Sequence, residues 1–256
     1  MLITNFVGAS KHSIKCFKPI QYLYVRGKAN NGIGNVKLRV RLVNSENGRV
    51  DEIIPLLSLD VLGEISSMNE GFFVKRGMAD NKDDFQVNVM LHPTSAVYLS
   101  NDRYLEIDIE GLISSGASCD IFGIEKPVVD KEFICRYNKF YMSTGELQKT
   151  FVVGDNENLI IPNDTFDEVI LHYKNGSSCT YTFAELEAIM MLKNDLVSMP
   201  SLSVNGQVLE TYANCSFVAG YASMYGLDVS DVESFSIRRS SGSNAFEFVL
   251  IDAVKE

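Results

Sequence analysis

The sequence predicts an all-β protein built from two tandem eight-stranded jelly rolls, each with one short helix. Apolar and polar residues alternate with a period of two along most of the chain, which is typical of half-buried strands. Turn signals separate these segments at the spacing expected in a β-sandwich. A pattern of strand, turn, strand and helix also occurs twice, with an offset of about 128 residues.

The composition excludes several classes of protein. The chain has 256 residues, of which 46% are apolar and 22% are charged, so it is not intrinsically disordered. It contains no run of about 18 uncharged apolar residues, which a membrane-spanning helix needs. Its net charge of -10 argues against general nucleic-acid binding. No signal peptide is recognisable at the beginning of the sequence.

The first half contains one predicted helix among predicted strands. Residues 36–42 alternate between apolar and basic side chains, and Asn47-Gly48 then signals a tight turn. Pro55 to Ile65 predicts a helix with proline in its first turn. The alternation predicts three more strands, over residues 85–91, 104–110 and 118–124. The last two of these strands are expected to pair across a Ser-Ser-Gly turn.

The second half repeats this order. Residues 168–174 and 178–182 flank Asn175-Gly176 and predict the clearest hairpin of the sequence. A helix is predicted over 182–193, because Thr182 and Glu185 have the spacing of a capping box. Further strands are predicted over 234–238 and 245–253, on either side of a second Ser-Ser-Gly turn.

The similarity of the two halves suggests an internal duplication. The two Ser-Ser-Gly turns lie 126 residues apart. We therefore predict an N-terminal jelly roll over 1–127 and a C-terminal jelly roll over 128–256, with Pro127 interrupting any strand at the boundary. Strand and turn patterns also recur by chance in all-β proteins, so a single large sandwich is the alternative.

The chain resembles the major capsid proteins of tailless icosahedral viruses of the double jelly-roll lineage. Within that lineage it is most similar to the corticovirus type, found in membrane-containing bacteriophages. The resemblance covers the whole chain and depends on no strict signature motif. The segments that carry it are Val36–Leu42, Asn47-Gly48 and Pro55–Ile65, matched by Val169–Tyr173, Asn175-Gly176 and Phe183–Leu192, together with the aromatic and basic segment Tyr137–Met142.

The resemblance implies a structural protein without catalytic residues or cofactor. It implies a homotrimer that forms a pseudo-hexagonal capsomer and assembles, with copies of itself and other capsid proteins at the vertices, into an icosahedral shell. Such a protein is made in the host cytoplasm and located in the virion capsid. It does not recognise a nucleic-acid sequence, and its inner face is expected to meet lipid headgroups of an internal membrane.

The charge distribution indicates where an anionic partner would bind. Residues 1–49 carry nine basic groups and one acid, a net charge of +8, which leaves -18 for the other 207 residues. Termini of such coat proteins tend to lie on the inner face. The candidates to meet lipid headgroups there, at about 1 kcal/mol each, are Lys11, Lys15, Lys18, Arg26 and Lys28. The alternative is that these residues lie on solvated strand faces and pair with acids elsewhere.

Few other motifs suggest chemistry. The local sequences around the three histidines match no hydrolase or metalloprotease motif, and the five cysteines form no CxxC pair, so they are expected to be reduced thiols. Two acidic loops are weak candidates for calcium at subunit contacts, and solvated turns are the favoured alternative. Their oxygen ligands would come from Asp80, Asp83, Asp84, Asp155 and Glu157.

Two other functions fit an all-β chain. A receptor- or glycan-binding module of a spike or an adhesin would share the strands, but it needs exposed aromatic residues in its loops and no duplicated body. The lack of Trp disfavours sugar binding. An enzyme on a β-sandwich would need a cleft with a perturbed carboxylate or a histidine cluster. Two similar halves in the structure would favour the coat protein.

Overall fold

A computed structural model gives the architecture of the chain. It describes residues 1–8, 10–28, 33–68, 72–76, 85–112, 117–129, 133–154, 158–162, 166–186, 188, 202–204, 207–213, 224–240 and 245–255. The chain divides into two compact units. Unit 1 comprises residues 1–136, 198–214 and 253–256, and unit 2 comprises residues 137–197 and 215–252. The described helices are all too short or too polar to cross a membrane.

Unit 1 contains eleven strands and one α-helix among its described residues. The strands are β1 (Leu2–Val7), β2 (Lys11–Cys16), β3 (Ile20–Lys28), β4 (Lys37–Asn44), β5 (Arg49–Ser58), β6 (Phe72–Arg76), β7 (Phe85–Met90), β8 (Arg103–Glu110), β9 (Ser118–Glu125), β15 (Leu202–Val204) and β16 (Gln207–Ala213). The helix α1 spans Leu59–Met68, and a 3-10 turn spans Ile33–Asn35. Apolar residues alternate with polar ones in β4 and β7, as the sequence predicts.

The strands of unit 1 form a jelly roll. One sheet has the order β1-β9-β3-β7, continued by β6, β16 and β15, and the other has the order β2-β8-β4-β5. When the eight strands β1–β5 and β7–β9 are lettered B to I, these orders are B-I-D-G and C-H-E-F, which define a jelly roll. Two four-stranded layers arise because the chain alternates between the sheets, so that both bury their apolar faces.

Strands β8 and β9, the last two strands of this jelly roll, do not pair with each other, which corrects the prediction of a β8–β9 pair. Strand β8 lies between β2 and β4, whereas β9 lies between β1 and β3 in the other sheet. The prediction was wrong because sequence neighbours on either side of a turn were assumed to be partners. In a jelly roll this connection crosses from one sheet to the other.

The predicted helix over Pro55–Ile65 is also wrong at its start. Pro55 lies in β5, and α1 begins at Leu59, where the Ser58 hydroxyl oxygen accepts a hydrogen bond from the Val61 N–H at 3.3 Å. Strand β5 is at the edge of its sheet, so a residue without an N–H can be accommodated there. The helix buries Leu59 and Leu62.

Unit 2 has the same topology. Its strands are β10 (Phe133–Met142), β11 (Gln148–Val152), β12 (Asn158–Pro162), β13 (Glu168–Tyr173), β14 (Ser178–Thr182), β17 (Met224–Asp228), β18 (Val232–Arg238) and β19 (Phe246–Lys255). The sheet orders are β10-β19-β12-β17 and β11-β18-β13-β14. These are again the B-I-D-G and C-H-E-F orders, so the chain contains two jelly rolls. The predicted boundary at 127/128 lies in the connection between β9 and β10 and stays a prediction.

The local predictions for unit 2 are confirmed where the structure describes them. Strands β13 and β14 form the predicted hairpin, with Gly176 at a φ of 83° in its turn. A helical turn begins at residue 183. The capping box precedes it: the Thr182 N–H donates to Glu185 Oε2 at 2.8 Å and the Glu185 N–H donates to Thr182 Oγ1 at 3.4 Å. The remainder of the predicted helix lies outside the described residues.

Phenylalanine side chains form the centre of the unit 2 core. Phe235 is fully buried, with its ring centroid 5.3 Å from that of Phe151 and 5.5 Å from that of Phe248. Phe140 stacks on Phe248 at 5.6 Å. These rings come from both sheets of the unit, so they join the two layers.

Replacing Phe235 with alanine should therefore destabilise unit 2 strongly. The loss of a buried ring and the cavity it leaves cost about 3–5 kcal/mol, measurable by urea unfolding followed by circular dichroism. Val152→Ala is the control, because Val152 lies in the same sheet but is 73% exposed. Equal losses of unfolding free energy in the two variants would contradict this account of the core.

Candidate interaction surfaces

The solvent-facing side of the β2-β8-β4 strands is a charged face. Strand β8 provides acids, and the two neighbouring strands provide bases opposite them. Glu110 lies opposite Lys11 and Lys37, Asp108 opposite Ser13 and Arg39, and Glu106 opposite Lys15 and Arg41. These nine residues are called the charged face below. Opposite charges directly across neighbouring strands stabilise the sheet.

Asp108 is the centre of the charged face. Its side chain is only 2% exposed, and it accepts hydrogen bonds from Arg39 Nε at 2.9 Å and Arg41 Nη2 at 3.0 Å. Burial raises the pKa of Asp108, but the hydrogen bond from Ser13 and the two arginine charges outweigh it, so this pKa lies below its usual value. Arg41 also pairs with Glu106 at 2.9 Å.

The charged face explains much of the basic excess of residues 1–49. Of the five predicted inner-face residues, Lys11 pairs with Glu110 at 3.1 Å and Arg26 pairs with Asp120 at 3.4 Å. Arg26 and Lys28 lie on β3, in the other sheet from Lys11 and Lys15. The structure therefore does not bring all five residues to one place.

One of the predicted basic residues, Lys15, lies beside a pair of aromatic rings. Lys15 Nζ is 4.5 Å from the centroid of the Tyr104 ring, and Phe17 packs on the same ring at 5.1 Å. Phe17 is 48% exposed, and Lys18, which follows it, is exposed as well. We call Lys15, Phe17, Lys18 and Tyr104 the β2-end cluster. Sequence reasoning missed Phe17, although its position between two lysines was a visible signal.

The corresponding face of unit 2 is almost uncharged. The residues of β11, β18, β13 and β14 that point to the same side include Thr150, Ser234, Ser236, Ile170, His172, Ser178 and Thr180. The charged members are Glu168 and Arg238, which pair with each other at 2.8 Å near one end. The two units thus share a topology but present different outer faces.

One imidazole–hydroxyl contact on this face has the components of a nucleophile and its base. His172 Nε2 lies 3.2 Å from Ser236 Oγ, which also contacts Thr150 Oγ1 at 2.7 Å. Ser236 is 3% exposed, so a substrate does not reach its hydroxyl. His92 is buried, and its Nδ1 accepts hydrogen bonds from the Thr94 and Ser95 N–H groups, which is a structural role.

The predicted calcium ligands Asp80, Asp83, Asp84, Asp155 and Glu157 lie outside the described residues. Calcium at these loops stays a prediction. Within the described ranges, no group of three metal-ligating side chains could hold an ion. Cys16, Cys119 and Cys135 are buried, whereas Cys179 on β14 is exposed.

The fold is similar to that of a phage capsid protein. A solved structure that it resembles is that of the major capsid protein P2 from bacteriophage PM2. The TM-score is 0.59 and the sequence identity 10%, and the match covers 100% of this chain and 95% of that chain. At this identity the similarity shows a shared fold alone. The PBSX exported protein XepA matches over 86% of its chain with 9% identity, but its TM-score of 0.26 supports no argument. No protein-family model and no curated protein matches the sequence.

The position of Asp108 predicts a pH-dependent loss of stability in Asp108→Asn. Removing the buried carboxylate takes away the anion that pairs with Arg39 and one of the two that pair with Arg41, and should cost about 3 kcal/mol at neutral pH. Because the native pKa is lowered, the carboxylate stabilises the fold above its unfolded pKa of about 3.9. That contribution disappears as the pH falls through the native pKa.

Urea unfolding of Asp108→Asn and of the natural chain between pH 3 and pH 8 measures this effect. The difference in unfolding free energy should be constant above about pH 5 and shrink below about pH 4. Glu106→Gln is the control, because Glu106 is 25% exposed and its pair should contribute at most about 1 kcal/mol. A pH-independent difference for Asp108→Asn would contradict this role.

Proposed function

We propose that this protein is a structural major capsid protein that assembles a virion shell. One observation carries the proposal: the chain contains two jelly rolls of identical strand order, and this fold matches that of a phage major capsid protein over 100% of this chain and 95% of that chain. The same strand order in both units also supports an origin by duplication, with halves at 1–127 and 128–256. The function requires packing surfaces and no catalysis.

The proposed assembly unit is a trimer. Three chains with two jelly rolls each supply six similar bodies, which suits a pseudo-hexagonal tile of an icosahedral lattice. The partners are copies of this chain and other capsid proteins at the vertices. The proposal places the protein in the virion capsid after synthesis in the host cytoplasm.

The proposed shell covers an anionic lipid membrane, and the β2-end cluster supports this part. An exposed aromatic side chain between two lysines is suited to a lipid–water interface, where the ring enters the headgroup region and the ammonium groups meet phosphates. Phe17 lies between Lys15 and Lys18 in the sequence, directly after the C-terminal end of β2. Lys11, Arg26 and Lys28 would add long-range electrostatic attraction to the anionic membrane.

Shell formation tests the proposed function directly. The chain is expressed alone, its soluble fraction is separated on a density gradient, and the fractions are imaged by electron microscopy. We expect tiles with hexagonal outlines and closed or partly closed shells. If the chain forms neither at high concentration, with or without anionic vesicles, the capsid role is wrong and the binding-module alternative takes its place.

Vesicle binding tests the proposed lipid partner. Lys15→Glu/Lys18→Glu should bind vesicles with anionic headgroups at least about tenfold more weakly than the natural chain, since each lysine contributes about 1 kcal/mol near such a surface. Phe17→Ser should weaken the binding without changing the net charge. The matched control is Lys126→Glu/Lys174→Glu, which changes the charge equally at two exposed lysines elsewhere.

Co-sedimentation with vesicles of anionic and of neutral lipids provides the measurement. Equal weakening by the control pair would show that only net charge matters. The β2-end cluster would then have no specific role.

A further inference from the structure

Strand β14 is an edge strand, and no other described strand pairs with its outer side. It pairs with β13 and is the last strand of its sheet in the described part of the chain. Ser178, Cys179, Thr180 and Thr182 are exposed, and Tyr181 is half-buried. An open edge presents backbone N–H and C=O groups that another strand can bind.

The hydrogen-bond register shows which groups β14 presents. The Tyr173 N–H donates to the Ser177 carbonyl at 2.9 Å at the turn of the hairpin. Because bonded and non-bonded pairs alternate in an antiparallel ladder, Cys179 and Tyr181 direct their backbone groups to β13. Ser178 and Thr180 then direct theirs outward. The backbone groups of Thr182 are used by the helical turn that follows: its N–H donates to Glu185 Oε2, and its carbonyl accepts the first hydrogen bond of the turn.

The other described edge strands carry features that discourage pairing. Strand β5, which occupies the same topological position in unit 1, contains Pro55 and the charged residues Arg49, Asp51 and Glu52. Charged residues also occur in the edge strands β2, β10, β11 and β17, and β15 has only three residues. Strand β1 is uncharged, but its register is irregular between Leu2 and Thr4. Strand β14 has none of these features.

The sequence of β14 is also complementary to itself. In an antiparallel pair of two β14 strands centred on Thr180, Thr180 faces its own copy and Ser178 faces Thr182. These Thr–Thr and Ser–Thr pairs are favourable across strands, and the absence of charge avoids like-charge repulsion. Cys179 then faces Tyr181 on the other side of the sheet.

We propose that β14 docks a second copy of this chain by antiparallel strand pairing about a two-fold axis at Thr180. Two hydrogen bonds join the Thr180 backbones. The choice of a second copy as occupant rests on the proposed self-assembly, in which the contact would join neighbouring capsomers. The pairing would join the β11-β18-β13-β14 sheets of the two copies into one continuous sheet of eight strands.

Disulfide trapping tests the register of this pair. In Cys179→Ser/Thr180→Cys, the two introduced thiols face each other at a Cα separation of about 5.5 Å, which a disulfide spans. The control Cys179→Ser/Ser178→Cys places the thiols about 14 Å apart along the strands. After oxidation with copper phenanthroline, non-reducing gels should show at least about tenfold more linked dimer for the first variant.

Thr180→Pro tests the contact without a thiol. It removes an N–H that points away from β13, so the edge strand should still fold, as urea unfolding would verify. The strand pair should be lost, which halves the mass of any β14-linked species. Thr180→Val is the matched control, because it keeps the N–H and a β-branched side chain.

The outcomes separate this inference from the capsid proposal. Linked dimers without shells support the β14 contact and contradict the capsid role. Shells that form normally in Thr180→Pro and show no linkage at position 180 overturn the β14 contact and leave the capsid role standing. Equal linkage at positions 178 and 180 shows random collision and also overturns the contact, as does a linked partner other than this chain.

Discussion

Each jelly roll closes because its last two strands insert between strands from the beginning of the same unit. Strand β8 lies between β2 and β4, and β9 lies between β1 and β3; in unit 2, β18 and β19 take the equivalent positions. These pairings join residues as distant in sequence as Leu2 and Phe122. Closing such loops costs chain entropy. This cost is offset only when both sheets bury their apolar faces. The fold of each unit therefore depends on these long-range ladders.

The same insertion determines the electrostatics of unit 1. It places the three acids of β8 between the bases of β2 and β4, so part of the basic excess of residues 1–49 is compensated within this sheet. Asp108 is buried under two arginines as a consequence. Unit 2 has the same topology but an almost uncharged outer face and, among its described edge strands, one without charge or proline. The two jelly rolls thus differ in surface chemistry.

Local features were predictable from the sequence, and long-range ones were not. The β13–β14 hairpin and the Thr182–Glu185 capping box depend on residues close in sequence, so turn and cap signals were sufficient. The start of α1 was missed because Pro55 is acceptable in a strand only at an edge, and edges are not visible in a sequence. The partner of β8 and the addition of β15 and β16 to a sheet of unit 1 depend on topology. Likewise, the basic residues were recognisable, but the acids opposite them lie about 70–100 residues away.

The central claim is that this chain is one subunit of a self-assembling tile, and its mass in solution tests that claim most directly. Native mass spectrometry of the purified protein at micromolar concentration is the measurement. The account predicts a stable species near three times 28.5 kDa, with larger species as multiples of it. A strictly monomeric protein at 28.5 kDa would contradict the account.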